Sequence, residues 1–195
     1  MNNNSLTDSL ISADDSVLVV IDAQKHFINK LSKKKGRRLV NRIGWLVELS
    51  KMLDIPLIVT AEDTPKLGGI SSTISKKLPP GLKIYNKMSF GLTDQNNIIK
   101  AIKSFNRKTM ILVGMETDVC IAHSAIGLLR MEYKVVVISD ATGSQGKAHE
   151  AGIERIKNAG GTVLPLKSLY YELVRTVKKD NDIISRLGAP DAIKL

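Results

Sequence analysis

Three side chains in this sequence could carry out covalent chemistry together: the carboxylate of Asp22, the amine of Lys87 and the thiol of Cys120. A thiol becomes a strong nucleophile once its proton is removed. A carboxylate can take that proton and later activate water, and an ammonium steadies the thiolate. Singly, each has a plainer reading. Cysteine is among the most buried residue types, an aspartate after a strand commonly serves a turn, and a lysine is ordinarily solvated. Position is what favours the chemical reading, since each falls at or shortly after a run that reads as a β-strand.

The elements that must position them alternate between two periodicities. Residues 17–21 form an unbroken apolar run, the pattern of a strand covered on both faces. Residues 37–53 follow with Leu39, Ile43, Leu46, Val47 and Leu53 at helical spacing. Strands are expected at 56–60, 83–85, 109–113, 134–138 and 162–164, with helices at 97–105, 118–131, 147–158 and 168–178. The stretch 64–81 is rich in Gly, Pro and Ser and reads as loop, and residues from Asp180 as a short helix or tail. Strands alternating with helices of ten or more residues mean βαβ units, a parallel sheet and right-handed connections. The expectation is an α/β fold, a doubly wound three-layer sandwich in one domain over 1–195, with 1–16 a loosely ordered leader. In such a sheet ligands bind beyond the carboxyl ends of the strands, near the point where strand order reverses. Asp22, Lys87 and Cys120 would therefore share one rim.

Bulk properties narrow the class. At 195 residues, 43% hydrophobic and 25% charged, the composition is globular and argues against disorder. No apolar run approaches the ~18 residues of a membrane helix, and residues 1–16 lack the pattern of a secretory signal. One cysteine excludes an internal disulfide framework and suits a reducing compartment, so a cytoplasmic location is expected. His26, His123 and His149 are far apart and in no metal-ligand spacing, so no metal and no cofactor are expected. The net charge of +10 could attract nucleic acid, but the basic residues are dispersed and aromatics are only 4%. Even the densest run, Lys33-Lys34-Lys35 with Arg37-Arg38, reads as a solvated basic face.

Cys120 sits in a strand-to-helix turn, Gly114-Met115-Glu116-Thr117-Asp118-Val119-Cys120, with Thr117 or Asp118 available as cap. In a first helical turn the dipole and free N–H groups lower a thiol's pKa and can hold an oxyanion. His123, three residues on, offers an alternative Cys–His dyad, though it would point down the helix away from the strand ends.

These segments resemble a known family. Asp22-Ala23-Gln24-Lys25-His26-Phe27 is similar to the D-x-Q-x-x-F segment of isochorismatase-like cysteine hydrolases. Lys87-Met88-Ser89-Phe90 resembles that family's lysine segment, and 114–120 its G-x-x-T-x-x-C nucleophile segment. Asp140-Ala141 with the Ser/Gly-rich loop after it resembles the continuation past strand five, so the likeness runs from about Val17 to Lys178. The resemblance implies a six-stranded parallel sheet ordered 3-2-1-4-5-6, a triad Asp22–Lys87–Cys120, a cis peptide at Met115–Glu116 and an oxyanion hole of the Glu116 and Cys120 N–H groups. It also implies a small-molecule substrate met by Gln24, Phe27, Leu67, Met88, Phe90 and Thr117, and a homo-oligomer. The implied reaction is cleavage of a small amide or related C–N bond through a thioester.

The family's nicotinamidases carry histidine metal ligands after strand two. Here Thr60-Ala61-Glu62-Asp63-Thr64-Pro65 has none, so nicotinamidase activity is not expected; Glu62 and Asp63 could still bind a cation, though ordinary surface or capping acids are the better reading. The segment Lys66-Leu67-Gly68-Gly69 is closer to the compact, metal-free branch. Two other readings stay open: vinyl-ether hydrolysis of an isochorismate-like substrate led by an aspartate, and a non-catalytic role for the basic surface.

Overall fold

The computed structural model describes residues 10–189. Six parallel strands, β1 Ser16–Ile21, β2 Leu57–Glu62, β3 Ile84–Lys87, β4 Thr109–Met115, β5 Lys134–Gly143 and β6 Thr162–Leu164, form one sheet in the order β3-β2-β1-β4-β5-β6. This is the expected architecture, and the order reverses between β1 and β4. In register, Ile21 stands beside Thr60 on one side and Gly114 on the other, while Glu62 pairs with Lys87.

Alternate residues of the apolar strands face opposite layers, which is why continuous hydrophobic runs suit a sheet covered twice. Leu18, Val20, Val59, Ile111, Val113 and Val136 pack in one core with α2 Lys33–Met52, α8 Leu166–Val174 and α9 Val177–Leu187. Val17, Val19, Ile21, Met110, Leu112 and Val137 pack in the other with α5 Asn96–Ser104, α6 Ala122–Arg130 and α7 Ala148–Asn158. The expected basic run opens α2, whose first turn is capped by the Ser32 hydroxyl accepting from the Lys35 N–H. Among the described residues no helix is long and apolar enough to cross a membrane.

Several boundaries differ from the sequence expectation, each for a local reason. Short helices α1 Lys25–Ile28, α3 Thr64–Leu67 and α4 Ser72–Ser75 lie at the carboxyl rim, the last two inside the stretch read as loop. β4 does not stop at Gly114 but runs through it to Met115, with Gly114 at φ +124°. A Cβ there would lie 1.8 Å from the Ile21 carbonyl oxygen, so only glycine lets β4 pass β1 at this height. The last expected helix breaks at Arg175, φ +66°, and Thr176 caps α9 by accepting from Lys179 N–H. The part of the expected leader that is described is packed: Ile11 and Ala13 are buried and Ala13–Asp15 is a 3-10 turn. Residues 1–9 lie outside the described residues.

Candidate active site

Asp22 follows β1 at φ +46°, an uncommon conformation that aspartate tolerates better than most residues. Its N–H donates to Thr60 O, which ties the end of β1 to β2. Lys87 is the last residue of β3, not two residues beyond it as the sequence suggested. Cys120 sits in a π-type turn, Thr117–Ile121, in which the Glu116 carbonyl accepts from both Val119 and Ile121 N–H groups. Such turns widen a helix locally and frequently mark functional positions.

The three expected residues meet. Lys87 Nζ lies 2.9 Å from Asp22 Oδ2 and 3.7 Å from Cys120 Sγ. The Lys87 and Asp22 side chains are fully buried, and Cys120 is 3% exposed. Thr60 Oγ1 donates to Asp22 Oδ1 at 2.9 Å. The ammonium also donates to the carbonyls of Ser89 and Phe90, at 2.5 and 3.3 Å.

A fourth residue joins them. Glu62 Oε2 is 3.4 Å from Lys87 Nζ and accepts from Cys120 Sγ at 3.4 Å. The expectation that Glu62 is a plain surface or capping acid is corrected by this contact. The available signal was topological: Glu62 ends β2, next to β3, so its side chain starts level with Lys87. Asp63 adopts φ +38° and its carbonyl accepts from Lys66 and Leu67, which makes it a turn residue. The reactive atoms of Asp22, Glu62 and Cys120 lie within 4.8 Å of one another. A cation among them would meet Lys87 Nζ, whose ammonium already serves as their counter-ion.

Burial raises the Asp22 carboxyl above its ordinary pKa against the opposing pull of Lys87 and Thr60. Burial also works against the Lys87 ammonium, but Asp22, Cys120 and Glu62 together outweigh it and hold the proton more firmly than usual. The Cys120 thiol is pushed up, first by burial and then by the Asp22 charge, with Lys87 opposing. This corrects the expectation that its place at a helix start lowers the thiol's pKa. The fold thus holds this proton more firmly than a free cysteine does.

The remaining expected residues divide. The peptide Met115–Glu116 is cis. The Glu116 carboxylate pairs with Lys30 at 3.1 Å. Thr117 Oγ1 bonds His149 Nδ1 at 2.9 Å, and Ser144 Oγ donates to Asp118 Oδ1 at 2.6 Å, so α7 and the end of β5 brace the turn that carries Cys120. The fit is tight enough that a Cβ on Gly152 would lie 2.7 Å from the Asp118 backbone. Gln24, expected to meet substrate, is a clamp instead. Its Oε1 accepts from Glu62 N–H and its Nε2 donates to the carbonyls of Glu62 and Gly68. Phe27 is buried in the core and Leu67 packs against it, whereas Met88 and Phe90 are 64% and 54% exposed beside the lysine. His123 stacks edge-on against Phe90 rather than pairing with the thiol.

Residues 16–168 match the model of the isochorismatase domain. The chain is 30% identical to a secreted isochorismatase effector of Phytophthora sojae, Isc1, over 81% of this chain and 76% of that protein. Its fold matches a MAR1 ribonuclease of Caenorhabditis elegans with TM-score 0.83 at 23% identity, covering 92% of each chain. It also matches the hydrolase YcaC. The Pseudomonas aeruginosa protein, solved with hexane-2,5-diol and covalent acrylamide, gives TM-score 0.86 at 22% identity over 97% and 96% of the two chains. The Escherichia coli protein, described as an octameric hydrolase of unknown specificity, gives 0.84 at 21% over 92% and 89%. With a domain match over most of its length and the same strand order, this chain belongs to the isochorismatase family.

Proposed function

We propose that this protein is a cysteine-dependent hydrolase that cleaves a small amide or related C–N bond through a thioester on Cys120. The observation that carries the reading is the meeting of a thiol, an ammonium, the buried Asp22 carboxylate and the partly exposed Glu62, with Lys87 Nζ 2.9 Å from Asp22 and 3.7 Å from Cys120. Such a cluster is costly to bury, and stability alone gives little reason to retain it. Lys87, held charged by Asp22, stabilises the thiolate as it forms. A carboxylate takes the thiol proton, Cys120 attacks the carbonyl carbon, and the N–H groups of Glu116 and Cys120 hold the oxyanion. The amine leaves and water releases the acid. Met88 and Phe90, exposed directly after Lys87 in the chain, meet the substrate. The covalent acrylamide of the P. aeruginosa YcaC fits this reading, since acrylamide is an electrophile to which thiols add.

We further propose a cytoplasmic enzyme needing no cofactor and working as a homo-oligomer, the last supported by the octamer described for E. coli YcaC. RNA is the rival partner, favoured by the net charge of +10 and by the name of the C. elegans neighbour.

Turnover of small amides and activated esters by wild type and Cys120→Ala tests the reading. It predicts a loss of more than about 10³-fold in the variant. Survival of activity without the thiol points instead to aspartate-led vinyl-ether hydrolysis. Steeply salt-dependent RNA binding, indifferent to Cys120, supports the rival.

A further inference from the structure

We propose that the cavity between the start of α2 and the end of β5 binds a small organic acid, held by its carboxylate at Arg38. The cavity has a volume of about 270 Å³, near the lower end of small-molecule pockets, and Asp22, Glu62, Lys87 and Cys120 take no part in its lining. One wall is a single face of α2, where Lys35, Arg38 and Arg42 follow one another at intervals of three and four residues. The other wall is the end of β5 and the first turn of α7, with Thr142, Ser144 and His149.

Two side chains in these walls call for an anion. Arg42 is already committed: its Nε lies 3.3 Å from Asp140 Oδ2, and its Nη1 donates to the Asp140 carbonyl. Arg38, half-buried, takes part in no ion pair among the described residues, and its Nε is buried without a hydrogen-bond partner. Across the cavity, Thr142 is only 5% exposed, and its Oγ1 is likewise buried without a partner. Buried donors left unpaired are costly, and two of them lining one cavity suit a ligand that accepts from both. No hydrogen bond holds the Arg38 side chain, so its guanidinium can turn onto an oxyanion there. Ser144 and His149 are engaged with Asp118 and Thr117, so they shape the wall.

Charge and shape narrow the ligand. Lys35, Arg38 and Arg42 face the carboxylates of Asp140 and Glu150, and burial holds His149 below its ordinary pKa. A single positive charge is left over, which suits a carboxylate better than a doubly charged phosphate. Part of the lining is apolar. Leu31, Leu39 and Gly143 meet there, each leucine placing a Cδ1 atom 3.1 Å from where a Cβ on Gly143 would stand. A short aliphatic tail rests on these leucines while the carboxylate accepts from the planar guanidinium of Arg38.

Equilibrium dialysis of radiolabelled butyrate against the full chain tests this. Saturable binding in the millimolar range or tighter is expected, and it should be unchanged in Cys120→Ala. Arg38→Met alters a side chain without an ion-pair partner, so it is expected to keep its fold by circular dichroism and to bind at least about tenfold more weakly. Thr142→Val, which exchanges the hydroxyl for a methyl group, should weaken binding about two- to tenfold. Acetate, with its shorter tail, should compete less well than butyrate, and uncharged butyramide should not compete. Absence of saturable binding, or equal binding by wild type and Arg38→Met, overturns the site. Inorganic phosphate competing better than butyrate overturns the choice of a carboxylic acid. Loss of binding in Cys120→Ala overturns the location, because the ligand then sits at the strand ends.

Discussion

The two rims of the sheet carry charged side chains of similar kind and use them in opposite ways. At the amino rim, Arg107 donates to the carbonyls of Ala13, Ser16 and Asp54, and Asp15 accepts from Lys108 N–H and Thr109 Oγ1. Both charges are spent largely on main chain, where they pin the entry to β1 and β4. At the carboxyl rim, Asp22, Glu62 and Lys87 face one another and a thiol. Charge satisfied by backbone holds a fold together. Charge gathered around a reactive atom, at a solvation cost that nearby apolar residues would avoid, is the signature of chemistry.

Substitution should separate the rims. Asp22→Asn leaves the Lys87 ammonium short of its nearest anion, and a loss of about 3–5 kcal/mol in urea unfolding is expected together with loss of turnover. Arg107→Met should cost less, about 1–3 kcal/mol, because it leaves carbonyls unsatisfied rather than a charge. Its turnover per folded molecule should stay at the wild-type level. If Arg107→Met abolishes turnover as well, the division between rims fails.

The smallest effect is one of pH. The folded Cys120 pKa lies above the ordinary thiol value of 9.0, so the native chain holds this proton after the unfolded chain has lost it. Its contribution is complete below pH 9.0 and declines as the pH rises further. Wild type should therefore lose about 1.4 kcal/mol per pH unit more than Cys120→Ala in the window just above that value. Parallel stability curves for the two proteins would show that the sulfur is not held protonated by the fold.

Much of this was legible in the residues. The buried strands declare themselves as apolar runs, and their alternation with amphipathic helices yields the parallel sheet and its carboxyl rim. Asp22, Lys87 and Cys120 could be assembled because each lies close to a strand end. Glu62 was missed because an acid ahead of a turn looks like a cap. Only the pairing of β2 with β3 sets it beside Lys87. Gln24 and Thr117 were expected to meet substrate, yet their polar groups serve Glu62 and His149, partners distant in sequence. Nor does a motif reveal how deeply the thiol is buried, and burial is what turns its pKa upward. Side-chain partners and desolvation belong to tertiary packing, which local spacing does not encode.

The most direct test is the rate at which acrylamide modifies Cys120, read by intact mass between pH 6 and pH 9 in wild type and Asp22→Asn. A single adduct should form in the neutral range faster than on an unstructured cysteine peptide, and at least about tenfold more slowly in the variant. A wild-type rate no faster than the peptide's, rising only as the thiol itself ionises and unchanged in Asp22→Asn, would contradict the account.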